Sequence, residues 1–94
     1  MDISKIKILG HEYTVTQKEN FIAETGGNTG QCNNYTNTIT IAQEISESGK
    51  REVLTHEIIE ALNYRLELNL EHHKICALGE ALNQVLSDNC ELRK

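Results

Sequence analysis

The feature that most constrains this chain is a change of composition near residue 48. Before it lie β-branched residues, Asn, Thr and Gly; after it lie Leu, Glu, Ala and Ile. β-branched side chains suit strands, while Leu, Glu and Ala lose little freedom in a helix. Strand formers followed by helix formers point to the α+β class. At 94 residues there is room for a single domain spanning 1–94. The expected architecture is a small N-terminal antiparallel sheet, a hairpin plus a further strand, followed by two packed C-terminal helices.

Local pattern fills in this outline. Lys5-Ile6-Lys7-Ile8-Leu9 alternates polar and apolar residues, as does Glu12-Tyr13-Thr14-Val15-Thr16, with Gly10-His11 to turn the chain between them. Residues 17–25 fit either a short helix or a third strand. Gly26-Gly27-Asn28-Thr29-Gly30 reads as a loop, and Thr38-Ile39-Thr40-Ile41 as a further strand. From about Gly49 the pattern is helical. At about 100° per residue, Leu54, Ile58, Ala61 and Leu62 share a stripe that should face the sheet or the next helix. Residues 66–70 break the run. Asn69 is the expected N-cap of a second helix, 70–87, with Ile75, Leu78, Leu82, Val85 and Leu86 as its core stripe.

Charge and cysteine usage exclude several functions. Nine Lys and Arg against fourteen Asp and Glu leave a net charge of −5, the wrong sign for a phosphate backbone. No nucleic-acid partner is expected. No apolar run approaches the roughly 20 residues that span a bilayer, so no membrane partner is expected either. Cysteines at 32, 76 and 90 are odd in number and widely spaced, which suits a reducing cytoplasm better than a disulfide framework. The Gly26–Gly30 loop lacks the Lys-Ser/Thr ending and following helix of a phosphate-binding loop.

The chemistry concentrates in Thr55-His56-Glu57-Ile58-Ile59-Glu60-Ala61-Leu62-Asn63. His56 and Glu60 are four residues apart, so a helix presents both on one face, one turn apart. That arrangement offers two ligands to one metal ion, with Glu57 beside the row as a general base. It follows the logic of the H-E-x-x-H zinc helix, with carboxylate in place of the second imidazole. A weaker activator of water results, because the added negative charge lowers the effective charge of the ion. A third ligand must come from the second helix, which carries His72, His73, Cys76 and Glu80. His72 borders the apolar stripe and should face the neighbouring helix, whereas His73 lies about 100° further round, toward solvent. His56, Glu60 and His72 are therefore the expected metal ligands and Glu57 the expected catalytic residue. Cys76, on the same edge as His72, and Glu80, twenty residues after Glu60, are the alternatives for the third position. Each candidate also has a plainer reading: H-E with a later Glu recurs by chance in Glu-rich helices. His11 suits a hairpin corner, Tyr64 suits a half-buried helix end as well as an oxyanion contact, and Glu44, Glu47 and Glu52 suit a solvated edge.

The stretch from His56 to Asn63, followed by Leu70-Glu71-His72 and by Leu82 to Asn89, resembles small phage- and prophage-encoded proteins of the minimal zinc-metallopeptidase (zincin) type. The segment Gly30-Gln31-Cys32-Asn33 leading into Thr38-Ile39-Thr40-Ile41 is similar as well, so the likeness covers residues 30–89. Such a likeness implies zinc, with His56 as ligand and Glu57 as catalytic acid/base, and a peptide or protein substrate. Glu60 departs from the usual His of that motif. A non-catalytic adaptor that binds a host protein partner in the cytoplasm, with a structural metal or none, is the alternative.

Overall fold

A computed structural model describes residues 1–93. The expected α+β class holds: a four-stranded sheet precedes two packed helices. Strands β1 (Lys5–Ile8) and β2 (His11–Lys18) form the hairpin. The loop is Leu9-Gly10, one residue earlier than the sequence suggests, because both residues take positive φ (50° and 84°). A two-residue turn of that hand matches the twist of the flanking strands. A short helix, α1 (Phe21–Thr25), resolves the ambiguous stretch after β2. It closes on Gly26, whose φ of 74° lets its N–H return to the Ile22 carbonyl.

Two further strands complete the sheet, β3 (Gly30–Asn33) and β4 (Thr38–Ala42), in the order β1-β2-β4-β3. The β2–β4 pair is parallel and the other two are antiparallel, so the sheet is mixed where a purely antiparallel one was expected. The physical reason is the crossover. The chain runs through α1 and β3 before returning beside β2, which leaves β4 pointing the same way as β2. Tyr13, Val15, Ile39 and Ile41 alternate onto one buried face, whereas Thr14, Thr16, Thr38 and Thr40 point the other way.

Helix α2 (Glu47–Leu66) covers the buried face, and helix α3 (His72–Asp88) packs against α2. A 3-10 turn, Cys90–Arg93, follows. The Ser46 hydroxyl caps α2 by accepting the Gly49 N–H at 3.1 Å. Leu54 and Ala61 join Ile8, Tyr13, Val15, Ile39 and Ile41 in the core, with Ile58 and Leu62 packed against them. The expected α2 stripe is thus the one that faces the sheet.

Two polar networks hold the ends of α2. Lys50, only 3% exposed, donates from Nζ to Gln17 Oε1 at 2.9 Å and lies 3.5 Å from Glu47 Oε1. Glu47, expected as part of a solvated edge, also binds the Met1 amino group at 2.7 Å. At the other end Arg65 donates to the Tyr13 hydroxyl at 3.0 Å and to Asn37 Oδ1 at 2.6 Å. Tyr13 in turn donates to Asn34 Oδ1 at 2.6 Å. Charge-assisted bonds of this kind fix helix position as well as adding stability.

The second helix departs from expectation in two ways. Asn69 is not its N-cap: it has φ of 56°, and Glu71, in extended conformation, takes that place. An N-cap needs the extended region, and Asn69 instead spends its tolerance of left-handed backbone on the inter-helix turn. Of the expected core stripe, Ile75 is buried and Leu86 partly so, while Leu78, Leu82 and Val85 are exposed. Gly79 explains the difference. A Cβ there would lie 3.3 Å from the His56 Cα, so the backbones of the two helices meet closely at this point. That contact turns the Ile75–Gly79 edge toward α2 and swings the leucines outward.

Candidate metal centre

The middle of α2 and the first two turns of α3 face each other across this close contact. His56 comes from α2; His72 and Cys76, one turn apart, come from α3. Their ligand atoms all lie within 4.8 Å of one another, close enough to hold a metal ion. The two imidazole rings meet edge to face with centroids 5.7 Å apart. His72 Nε2 is 3.4 Å from Cys76 Sγ, and His56 Nε2 is 3.7 Å from Glu60 Oε2.

The donors are two imidazoles and a thiol, ligand types that bind transition-metal ions. Zn–N bonds of about 2.0–2.1 Å and a Zn–S bond of about 2.3 Å, at tetrahedral angles, set N···S at about 3.5 Å and N···N or N···O at about 3.4 Å. The 3.4 Å His72–Cys76 pair is close to those values, and the other pairs of the group lie within 4.8 Å. Imidazole and thiol together favour zinc or copper over magnesium or calcium, which take oxygen ligands.

The expected residues therefore fall into two groups. His56 and His72 are brought together from separate helices, and Cys76, an alternative in the sequence, completes the compact three-donor group. Glu60 stands beside His56 without entering that group. Glu80 borders a groove with His72 and Cys76 but is not among the three donors either. His73 is exposed, as expected, beside Glu71 at 3.6 Å. His11 is exposed at the start of β2.

Glu57 is the buried acid of the site, with 6% of its surface exposed. Burial, and then the neighbouring Glu60 carboxylate, push its carboxyl up to about 7. Gly30 makes room for it, since a Cβ at Gly30 would lie 3.1 Å from Glu57 Oε2 and would collide with Val53 Cγ1. The sequence shows that glycine only as the end of a flexible loop. Cys32, next but one along β3, is half-buried, and its thiol is pushed up to about 11 by burial and then by Glu57 and Glu60.

Two open grooves of about 580 and 500 Å³ flank the site. His56, Glu57 and His72 border both of them. Cys76 and Glu80 border only the first; Glu60, Asn63 and Tyr64 border only the second. Tyr64, half exposed, leans edge to face on the highly exposed Tyr35 at 6.4 Å, which places an aromatic rim on the Glu60 side.

No helix among the described residues is long and apolar enough to cross a membrane. No family model matches the chain, and no curated protein or solved structure matches it.

Proposed function

We propose that this protein is a minimal zinc-dependent peptidase of the zincin type, with zinc held by His56, Glu60 and His72 and with Glu57 as general base. The observation that carries the reading is Glu57 itself. It is a buried carboxyl beside His56 on α2, and like His56 and His72 it borders both grooves. When bound, zinc supplies Lewis-acid activation of water and of a carbonyl oxygen. Glu57 then accepts the proton released from water and returns it to the leaving amine. The Glu60 carboxyl, one turn from His56, favours a cation there.

An extended peptide can be aligned on β3 and not on β4. Strand β4 is paired with β2 on one side and β3 on the other, which leaves it no free edge for a substrate strand. The edge beside the site is β3, and its Gln31 and Cys32 border the Glu60 groove.

The test is zinc content by elemental analysis, with turnover on mixed peptide libraries. About one zinc per chain is expected, lost in His56→Ala and His72→Ala. Glu57→Gln should keep its zinc and lose at least about a hundredfold in turnover. Absence of zinc after reconstitution, with unchanged melting of both histidine variants, sinks the proposal. A non-catalytic adaptor, whose metal only joins two helices, is the second reading. It is favoured by the thiol of Cys76 within the donor group, and it calls for Glu57→Gln to leave metal content unchanged in a protein that shows no turnover to lose.

A further inference from the structure

We propose that Cys76 is a fourth ligand of the bound ion, a thiolate latch that closes the site on the side opposite Glu60. This rests on the metal-site reading above and adds to it how the site is held shut.

The placement of donors is the first argument. His56 and His72 border both grooves, whereas Glu60 borders one and Cys76 the other. An ion seated on the imidazole pair therefore has a carboxylate on one flank and a thiol on the other. Distance is the second. His72 Nε2 and Cys76 Sγ are 3.4 Å apart, close to the roughly 3.5 Å that a tetrahedral zinc imposes between its nitrogen and sulfur ligands. Spacing is the third, because residues 72 and 76 are one helical turn apart and need no rearrangement of α3 to reach a common ion.

The consequence follows from coordination number. Catalytic zinc sites use three protein ligands and keep one open position, while four protein ligands make a closed, structural site. Glu60 lies outside the three-donor group, 3.7 Å from His56. Once it engages beside His56, His72 and Cys76, no position is left for water, and turnover comes only from molecules in which the thiol has been released. Release of the thiol reopens that position and leaves the two histidines and Glu60 in place. Cys76 is exposed, so its sulfur can be reached from solvent when it leaves the ion. Neither Cys32 nor Cys90 belongs to the donor group.

Cobalt substitution tests this without relying on turnover, because a thiolate ligand gives cobalt an intense charge-transfer band in the near ultraviolet. Wild-type protein should bind one cobalt per chain and show the band, as should Cys32→Ser and Cys90→Ser. Cys76→Ser should still bind one cobalt, at least about tenfold more weakly, with the band gone. As a check on unsubstituted protein, zinc should slow alkylation of Cys76 by iodoacetamide at least about tenfold, read by peptide mass spectrometry. One cobalt bound without the band, or a band that survives in Cys76→Ser, overturns the latch and leaves the metal site standing. Failure to bind cobalt or zinc at all overturns both.

Discussion

Helices α2 and α3 are of similar length but are held in different ways. Helix α2 lies on the sheet, with Leu54 and Ala61 in the core and a polar network at each end, Lys50 with Gln17 and Arg65 with Tyr13 and Asn37. Helix α3 buries only Ile75 and Gly79, and leaves Leu78, Leu82 and Val85 exposed. The candidate site straddles the two: His56, Glu57 and Glu60 stand on the anchored helix, while His72 and Cys76 stand on the lightly held one. An ion bound between them would join the less stable element to the more stable one. Regions with few buried apolar contacts open first, so the free energy of metal binding would appear mainly as protection of α3.

The contrast is broken most directly by paired truncations. Ile41→Ala, in the centre of the sheet, should cost about 2–5 kcal/mol in denaturant unfolding, whereas Leu82→Ala should cost less than about 1 kcal/mol. Equal costs would mean that α3 is as firmly packed as the core. The helix contact is tested next. Gly79→Val places branched carbons against the backbone of His56, and should cost about 1–3 kcal/mol while weakening metal binding in an isothermal titration. Unchanged affinity would show that the approach of the helices does not set the site.

The smallest effect concerns Glu57 in metal-free protein. Its folded pKa, about 7, lies above the ordinary carboxylate value of 4.5, so the folded state holds the proton more tightly. Its contribution to stability is greatest below about pH 4.5 and is lost as pH rises through about 7. Glu57→Gln should remove that slope and raise metal-free stability at pH 7.5 by about 1–2 kcal/mol, measured by urea unfolding at several pH values. A variant with the same pH slope as wild type would assign the slope to other groups.

Much of the fold was legible because local pattern and burial agree. The alternation of Lys5–Ile8 and of Tyr13 and Val15, the β-branched run of β4, and the stripe of α2 each match a buried face. Strand β3 was not legible as a strand. Gly30-Gln31-Cys32-Asn33 has no β-branched residue, and it is extended because β4 offers it hydrogen bonds. The apolar stripe of α3 misled for a related reason. Periodicity marks which residues share a face but not which part of that face a neighbour covers, and Gly79 drew α2 to its edge.

For the site, the sequence alone determined that His56, Glu57 and Glu60 lie together on one helix, because i, i+1 and i+4 spacing is a local property of the backbone. It also determined that His72, and not His73, turns toward the partner helix. Only the tertiary structure decided which third donor stands closest. The rotation of α3 about its own axis is set by the contact between Gly79 and His56, and that rotation brings Cys76 into the donor group and leaves Glu80 outside it.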